Sequence, residues 1–282
     1  MMNRREAVAL LAVGATAAAN RQPTTANLYP IGLGTWQTFD VPAPTPALEE
    51  VLRLFVQLDG TVVDSSPMYG RSESILGDLA VKTGVRDKLY VATKVWTTGR
   101  AAGIAQMQDS ERKLRGKVDL MQVHNLQDAE THLDTLRRWK AEGRIKHIGV
   151  THYHAGAHDD VAEHIRRGGI DFIQINYSLA EREAERRLLP LAKERGVKVL
   201  INRPFGAGSL FRETRGKPVP AFAKELGATS WAELFLKFVI SHPAVTVAIP
   251  ATSKPEHLRQ NMNAGRGPMP DAAMRKRIAD AV

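Results

Sequence analysis

The stretch TVVDSSPMYGRSESILGDLAVKTGVRDKLYVATK, residues 61–94, has the pattern of a strand, a helix and a second strand. Apolar runs at 61–64 and 89–94 flank the segment 72–83, in which apolar residues recur at helical spacing. Two consecutive strands that are joined through a helix pair in parallel, because the crossover returns the chain to the same end of the sheet. Residues 61–94 therefore predict one β/α unit of a parallel sheet.

The same alternation continues along most of the chain. Apolar runs typical of buried strands lie at 31–34, 61–64, 89–94, 120–124, 147–151, 172–176, 198–202 and 246–249. Helical patterns lie at 46–58, 72–83, 104–114, 132–141, 161–167, 184–194, 230–241 and 256–262, and a short last helix follows Pro268 and Pro270. Eight such strands predict an α/β fold, a closed (β/α)8 TIM barrel, since closure leaves no free sheet edge. We expect a single domain over residues 28–282, with 203–229 as an irregular active-site loop.

The composition excludes several kinds of site. The 282 residues contain no cysteine, which rules out disulfides, thiolate metal ligands and a cysteine nucleophile. No metal site is predicted. The formal net charge of +9 is compatible with an anionic partner, but the basic residues are spread along the chain, which favours a solvated basic surface. No basic stripe carries interleaved aromatic residues, so nucleic acid is not an expected partner.

The first 27 residues have a different character from the rest. Arg4 and Arg5 precede an Ala-rich run over 7–19, which ends in three alanines that suit a signal cleavage site. Such a pattern resembles a twin-arginine export signal, and it predicts a periplasmic protein. The run is too short to span a bilayer of about 30 Å, so no membrane insertion of the mature chain is expected. The alternative is an uncleaved N-terminal helix on a cytoplasmic protein.

Four polar side chains occupy the strand ends at which a barrel carries its active site. Asp64, Lys94 and His124 end the second, third and fourth predicted strands, and Tyr69 lies in the loop after the second. A phenol has a pKa of about 10. An adjacent Lys94 ammonium would lower that pKa, and Asp64 would supply the counter-charge that a buried lysine needs. His124 would orient a carbonyl oxygen or relay a proton.

Each of these side chains also has an ordinary structural explanation. Asp64 could cap a helix, Lys94 could extend its ammonium to solvent, and His124 could be a hydrogen-bonded core histidine. All four at the strand ends of one barrel are harder to explain in that way. Together they predict a site that protonates an oxygen as the oxygen gains negative charge.

Seven stretches resemble the aldo-keto reductase family, in the family's order. They are GLGTW at 32–36, VVDSSPMYGRSE at 62–73, ATKVW at 92–96, QVHN at 122–125, IGVTHY at 148–153, QINYS at 174–178 and IPATSKPEHLRQN at 249–261. The resemblance covers residues 28 to 262 and implies a (β/α)8 barrel that reduces aldehydes and ketones to alcohols with NADPH. It places the family's catalytic tetrad on Asp64, Tyr69, Lys94 and His124, with the tyrosine as general acid.

The resemblance also implies a nicotinamide site at the barrel mouth. No G-x-G-x-x-G motif follows a strand, so a doubly wound dinucleotide domain is not expected. Tyr177 matches the family's aromatic residue that stacks on the nicotinamide, and Gln174 matches the side chain that bonds the carboxamide. Thr151 can keep a hydroxyl contact to the same group. His152 replaces the family's asparagine, which leaves the second amide contact in doubt.

The loop NRPFGAGSLF, 202–211, matches the segment that runs along the pyrophosphate. It contains Pro204, Gly206 and Gly208, and the two glycines would allow the backbone to approach a phosphate closely. Glycines in loops also serve as ordinary turn residues, so the loop alone is a weak signal.

The stretch 249–261 matches the segment that holds the adenosine half of the cofactor. Lys254 and Arg259 are the cations that would bind a 2′-phosphate, with Thr252 and Ser253 as hydroxyl donors. Asn261 matches a position that contacts adenine. These residues predict NADPH rather than NADH.

For the substrate, Trp36, Trp96 and Asn125 match wall positions of the family's pocket. Aromatic walls suit an apolar or ring-bearing small carbonyl compound, although tryptophans at strand ends are also common packing residues. One alternative is an NADPH-binding barrel that senses redox state or regulates a partner with little turnover. A more distant alternative is a barrel aldolase or isomerase with Lys94 as a Schiff base. No oligomeric state is predicted.

Overall fold

The computed structural model describes residues 24–26 and 28–282. The predicted export signal lies outside the described residues and stays a prediction. In the described part, no helix is both long enough and apolar enough to cross a membrane.

Eight parallel strands form one sheet in chain order, which confirms the predicted TIM-barrel fold. Bridges from Ile31 to Ala248 and from Gly34 to Ala251 join the last strand to the first. The strands are β1 Leu33–Gly34, β2 Val62–Asp64, β3 Tyr90–Val95, β4 Leu120–Val123, β5 His147–Thr151, β6 Phe172–Asn176, β7 Lys198–Asn202 and β8 Val247–Ala248. His124, predicted as a strand end, instead begins a 3-10 turn just after β4.

Helices pack around the outside of this barrel. Those in the described part are α1 Pro46–Gln57, α2 Ser72–Lys82, α3 Arg100–Lys113, α4 Ala129–Ala141, α5 His158–Arg167, α6 Leu188–Glu194, α7 Ser209–Glu213, α8 Trp231–Ile240, α9 Pro255–Asn263 and α10 Ala272–Asp280. The segment 203–229, predicted to be irregular, contains α7 and 3-10 turns at Gly206–Gly208 and Ala221–Leu226. Such short elements show no helical periodicity in sequence.

Local sequence explains where the helices begin. Thr45 accepts a hydrogen bond from the Leu48 N–H, and Pro46 occupies the first turn of α1, where a missing N–H costs nothing. At α8, Ser230 and Glu233 form a reciprocal capping box.

Side-chain alternation along the strands divides the core into two parts. A large cluster lies between sheet and helices, and a smaller one fills the barrel interior. The interior cluster comprises Val62, Tyr90, Ala92, Leu120, Phe172, Leu200, Val247 and Ile249. Because strand side chains alternate with a period of two, residues two positions further along also face inward, nearer the barrel mouth. That rule selects Asp64, Lys94, Gln122, Gln174 and Asn202.

Candidate active site

A buried ion pair lies at the centre of the barrel mouth. The Lys94 Nζ donates to Asp64 Oδ2 at 2.7 Å and to the Ser65 carbonyl oxygen at 2.7 Å. Both charged side chains are buried. Burial by itself lowers the pKa of Lys94, but the Asp64 carboxylate and the nearby Tyr69 more than offset this, so the pKa is raised and the ammonium keeps its charge.

Two glutamines hold the other oxygen of Asp64. Gln174 donates to Asp64 Oδ1 at 2.7 Å, and Gln122 donates to the same oxygen at 3.4 Å. The amide nitrogen of Gln174 is therefore bound to the carboxylate, and its amide oxygen is the atom left for a carboxamide. Gln122 was not predicted, although the alternation that places Asp64 and Lys94 inside also places it there. Its Oε1 is buried with no hydrogen-bond partner in the described part.

Tyr69 lies against the ion pair, half-buried in the loop after β2. The Lys94 Nζ is 5.0 Å from the centre of its ring. Burial raises the pKa of Tyr69, Lys94 lowers it in part, and the Asp64 carboxylate raises it again. Lys94 lowers the pKa of Tyr69 as predicted, but burial has the larger effect, so the net pKa lies above the ordinary value. The phenol keeps its proton at neutral pH and can donate it.

The His124 ring also packs against Tyr69. The two rings meet edge to face, with 5.8 Å between centroids. Burial, together with Lys94 and then His152, lowers the pKa of His124 to about 2. The ring is thus neutral in the physiological range, and it can donate a hydrogen bond but not act as an imidazolium.

The loop after β4 is held in an unusual backbone conformation. Asn125, Leu126 and Asp128 all have positive φ, between 48° and 57°, which is uncommon for residues with a Cβ. The Asn125 N–H donates to the Thr151 hydroxyl oxygen at 3.2 Å, which leaves the Thr151 hydroxyl proton free to donate to a ligand. Strained backbone at a strand end is typical of functional sites.

Exposed apolar side chains surround this mouth. Trp36 is 52% exposed and Trp96 is 39% exposed, and their contact with substrate stays a prediction. Met68, which was not predicted, is next to Tyr69 in the chain and is 41% exposed. The Trp96 ring lies 6.4 Å from that of His124. The Gln106 side chain bonds both the N–H and the carbonyl of Trp96 and fixes the backbone there.

His152, directly after β5, and Asn202, at the end of β7, can bind an amide group. The Tyr153 N–H donates to His152 Nδ1 at 3.0 Å, so the proton of the neutral ring is on Nε2, a donor. Asn202 donates to the His152 carbonyl oxygen at 3.0 Å, and its own Oδ1 is buried with no partner among the residues described. A carboxamide needs one donor and one acceptor, and the His152 Nε2–H and the orphaned Asn202 Oδ1 supply these two groups, so these residues fit the implied nicotinamide. Asn202 was missed as a site residue, although its position at the inward-facing end of a strand is a signal that sequence alone carries.

Tyr177 does not face the mouth, and the predicted stacking on nicotinamide is wrong. It shares strand parity with Ile173 and Ile175, and all three belong to the cluster between sheet and helices. Its hydroxyl donates to Glu185 and accepts from Arg275 at 2.7 Å. The side chain is fully buried, so the ring has no free face.

Two glycines of the loop after β7 adopt backbone conformations that other residues rarely adopt. Gly206 and Gly208 have φ of 56° and 87°, in the region that favours glycine. A Cβ on Gly206 would lie 2.6 Å from Ser209 Oγ and 3.1 Å from Ala180 Cβ. Pro204 is buried at the start of the loop. The phosphate contact itself stays a prediction.

The adenosine-binding residues predicted in 249–261 lie between β8 and α9. Ser253, Lys254 and Arg259 are exposed, whereas Thr252 and Asn261 are buried. The Thr252 hydroxyl oxygen accepts from the Lys254 N–H at 3.1 Å and so orders the start of α9. Within the described ranges neither Lys254 nor Arg259 forms an ion pair, and both cations are available to a phosphate.

Comparison with known proteins agrees with this geometry. The chain is 26% identical to methylglyoxal reductase YeaE of Escherichia coli over 83% of its own length and 84% of the relative's. It is 27% identical to the NADH-specific methylglyoxal reductase of the same organism over 71% of each chain. An aldo/keto reductase from Klebsiella pneumoniae, solved with NADP and acetate, has a TM-score of 0.76 and 26% identity, covering 90% of this chain and 91% of the other.

The family itself is shown by a broader match. The model of the Aldo/keto reductase family matches residues 30–279, which is nearly the whole described barrel. The chain belongs to the aldo/keto reductase family and is an NAD(P)-dependent oxidoreductase.

Proposed function

We propose that this protein uses NADPH to reduce a small apolar aldehyde or ketone to its alcohol, with Tyr69 as the general acid. One observation carries the proposal: a neutral phenol lies against a buried ammonium that is itself paired with a carboxylate. That arrangement holds a proton ready and stabilises the anion left behind when the proton is given away.

Each residue of the proposed site has a separate role in the reaction. The reduced nicotinamide, when bound, supplies the hydride that forms the new C–H bond at the carbonyl carbon. Tyr69 gives its proton to the carbonyl oxygen, so that the C=O π bond becomes an O–H bond and the product is the neutral alcohol. Lys94 stabilises the tyrosinate, Asp64 keeps Lys94 charged, and His124 donates a hydrogen bond to the same oxygen.

Four side chains would hold the nicotinamide amide group. Thr151 and His152 supply donors, while the amide oxygens of Gln174 and Asn202 supply acceptors. Lys254 is the cation proposed to bind the 2′-phosphate that distinguishes NADPH from NADH. The Klebsiella structure contains NADP, whereas one E. coli relative is named as NADH-specific, so cofactor preference must be measured on this chain.

The apolar rim suggests the substrate class. Trp36, Met68 and Trp96 present apolar surface beside Tyr69 and suit a hydrophobic substituent on the carbonyl carbon. The test is NADPH consumption with a carbonyl panel that contains methylglyoxal, the substrate named for the E. coli relatives, and 4-nitrobenzaldehyde. We expect turnover, with the aromatic aldehyde preferred. If NADPH binds but no carbonyl is reduced, the alternative of a redox-sensing or regulatory barrel is correct.

The pH dependence of this reaction follows from the two shifted groups. Since the pKa of His124 is lowered to about 2 and the pKa of Tyr69 is raised above its ordinary value, neither changes charge between about pH 6 and pH 9. The proton donor exists below the pKa of Tyr69 and is lost only above it. We expect kcat/KM for the aldehyde to be flat over this range and to fall only at higher pH. An acidic limb at about pH 6.5 that disappears in His124→Gln would contradict this assignment.

NADPH preference is expected to depend on Lys254. A charge-assisted hydrogen bond contributes about 1.5–3 kcal/mol, so Lys254→Ala should weaken NADPH binding by about tenfold or more and leave NADH binding nearly unchanged. Fluorescence titration of both cofactors measures this. The matched control is Lys82→Ala, which removes an exposed lysine at the C-terminal end of α2, away from the mouth. Equal losses for both cofactors would place Lys254 away from the 2′-phosphate.

A further inference from the structure

Ser66 is a buried hydroxyl in direct contact with His124. It lies two residues beyond Asp64, in the inward-facing parity of β2, and its Oγ is 3.0 Å from His124 Nδ1. His124 likewise lies two residues beyond the inward-facing Gln122 of β4. Ser66 and His124 therefore occupy one layer, directly above the layer of Asp64 and Lys94.

The neighbouring backbone decides the direction of this hydrogen bond. The Met68 N–H donates to Ser66 Oγ at 3.3 Å, so the oxygen already accepts one hydrogen bond. In the described structure the other contact of Ser66 Oγ is His124 Nδ1. If Nδ1 carried the proton, Ser66 would accept twice and its own buried proton would have no acceptor, which is costly. The hydroxyl therefore donates to Nδ1.

A neutral imidazole has one N–H, and the partner of one nitrogen fixes where that proton is. With Nδ1 as acceptor, the proton of His124 is on Nε2, the nitrogen that Ser66 does not hold. The ring is flanked by Tyr69 and Trp96, at 5.8 Å and 6.4 Å between centroids. The free Nε2–H is thus a donor in the mouth where the carbonyl oxygen would be protonated.

We propose that Ser66 is a positioning residue for catalysis, which locks His124 in the Nε2–H tautomer so that the ring donates to the substrate's carbonyl oxygen beside Tyr69. The inference rests on the proposed function for its catalytic consequence. The tautomer itself is a property of the enzyme without substrate, so the two can fail separately.

The first measurement is the imidazole ¹⁵N NMR spectrum of the wild-type protein, with the His124 signals identified by their loss in His124→Gln. We expect a protonated Nε2 and an unprotonated, hydrogen-bonded Nδ1. A protonated Nδ1 would overturn the inference without touching the proposed function. Absence of carbonyl reduction with the expected tautomer present would overturn the proposed function instead.

The second measurement uses variants. Ser66→Ala should give a mixture of His124 tautomers and lower kcat/KM for the aldehyde by about threefold to tenfold, the effect of one lost hydrogen bond. NADPH affinity should change by less than about twofold, because the Ser66 hydroxyl bonds His124 and the Met68 N–H in the part of the chain described, and neither is a proposed cofactor contact. Ser66→Thr, which keeps the hydroxyl, should restore one tautomer and most of kcat/KM.

The matched control is Ser65→Ala. Ser65 is also a buried serine in the same loop, but its Oγ accepts from Thr35 Oγ1 at 2.9 Å instead of contacting His124. We expect its removal to leave the His124 ¹⁵N signals unchanged. If Ser66→Ala also left the His124 ¹⁵N signals unchanged, the positioning role of Ser66 would be overturned. The role would also be overturned if Ser65→Ala and Ser66→Ala changed those signals in the same way.

Discussion

Replacing Tyr69 with phenylalanine is expected to lower kcat for aldehyde reduction by about 10²–10⁴-fold, the usual contribution of a positioned general acid. The substitution removes only the hydroxyl, and the ring can keep its contact with His124. NADPH affinity should therefore hardly change. Steady-state kinetics at saturating aldehyde measures the first quantity, and fluorescence titration measures the second.

The matched control for this variant is Tyr90→Phe. Tyr90 is a buried phenol of the barrel interior, and its hydroxyl bonds His147 Nδ1 at 2.8 Å, at the end of the barrel away from the mouth. We expect it to keep near wild-type turnover. Near wild-type turnover in Tyr69→Phe as well would remove Tyr69 from the role of proton donor.

The sequence predicted the barrel and the tetrad for a physical reason that the structure makes visible. Runs of buried strand residues alternating with amphipathic helices leave few alternatives to a closed parallel barrel. Polar residues at the ends of such strands are costly unless they work together. Asp64 and Lys94 could therefore be paired from residue type and position alone, and the structure places them 2.7 Å apart.

Tyr177 is a residue for which reasoning from side-chain chemistry gave the wrong position. Its chemistry suited a stacking residue, but its parity along β6 directs it to the helices, where Glu185 and Arg275 bind its hydroxyl. Parity also selects Gln122 and Asn202, which chemical type alone did not. Counting inward-facing positions along each strand therefore identifies site residues that residue chemistry misses, and it excludes Tyr177.

The pKa of Tyr69 could not be predicted from sequence. Its direction depends on a balance between burial, which raises the pKa, and the Lys94 ammonium, which lowers it. Sequence identifies the cation but gives neither the depth of the phenol nor the proximity of Asp64. Burial proves to be the larger effect, and the resting enzyme therefore has a protonated acid.

Lys94→Met is the substitution for which we expect both activity and stability to fall. Removing one member of a buried ion pair leaves an uncompensated charge, here Asp64, at a typical cost of about 3–5 kcal/mol in the free energy of unfolding. Turnover should fall as well, because the tyrosinate formed on Tyr69 would lose the cation that stabilises it. Denaturant unfolding and steady-state kinetics measure the two effects.

The double variant Asp64→Asn/Lys94→Met separates those effects. It leaves no unpaired charge in the site. In the wild-type protein Gln174 donates to Asp64 Oδ1 at 2.7 Å, and the amide oxygen of the introduced asparagine can still accept that hydrogen bond. We expect most of the lost stability to return, because a buried ion pair can be replaced by neutral groups at little cost. Turnover should stay as low as in Lys94→Met, since Tyr69 still lacks its cation. Recovery of turnover together with stability would mean that Lys94 serves only as the counter-ion of Asp64, and proton transfer from Tyr69 would then need no adjacent positive charge.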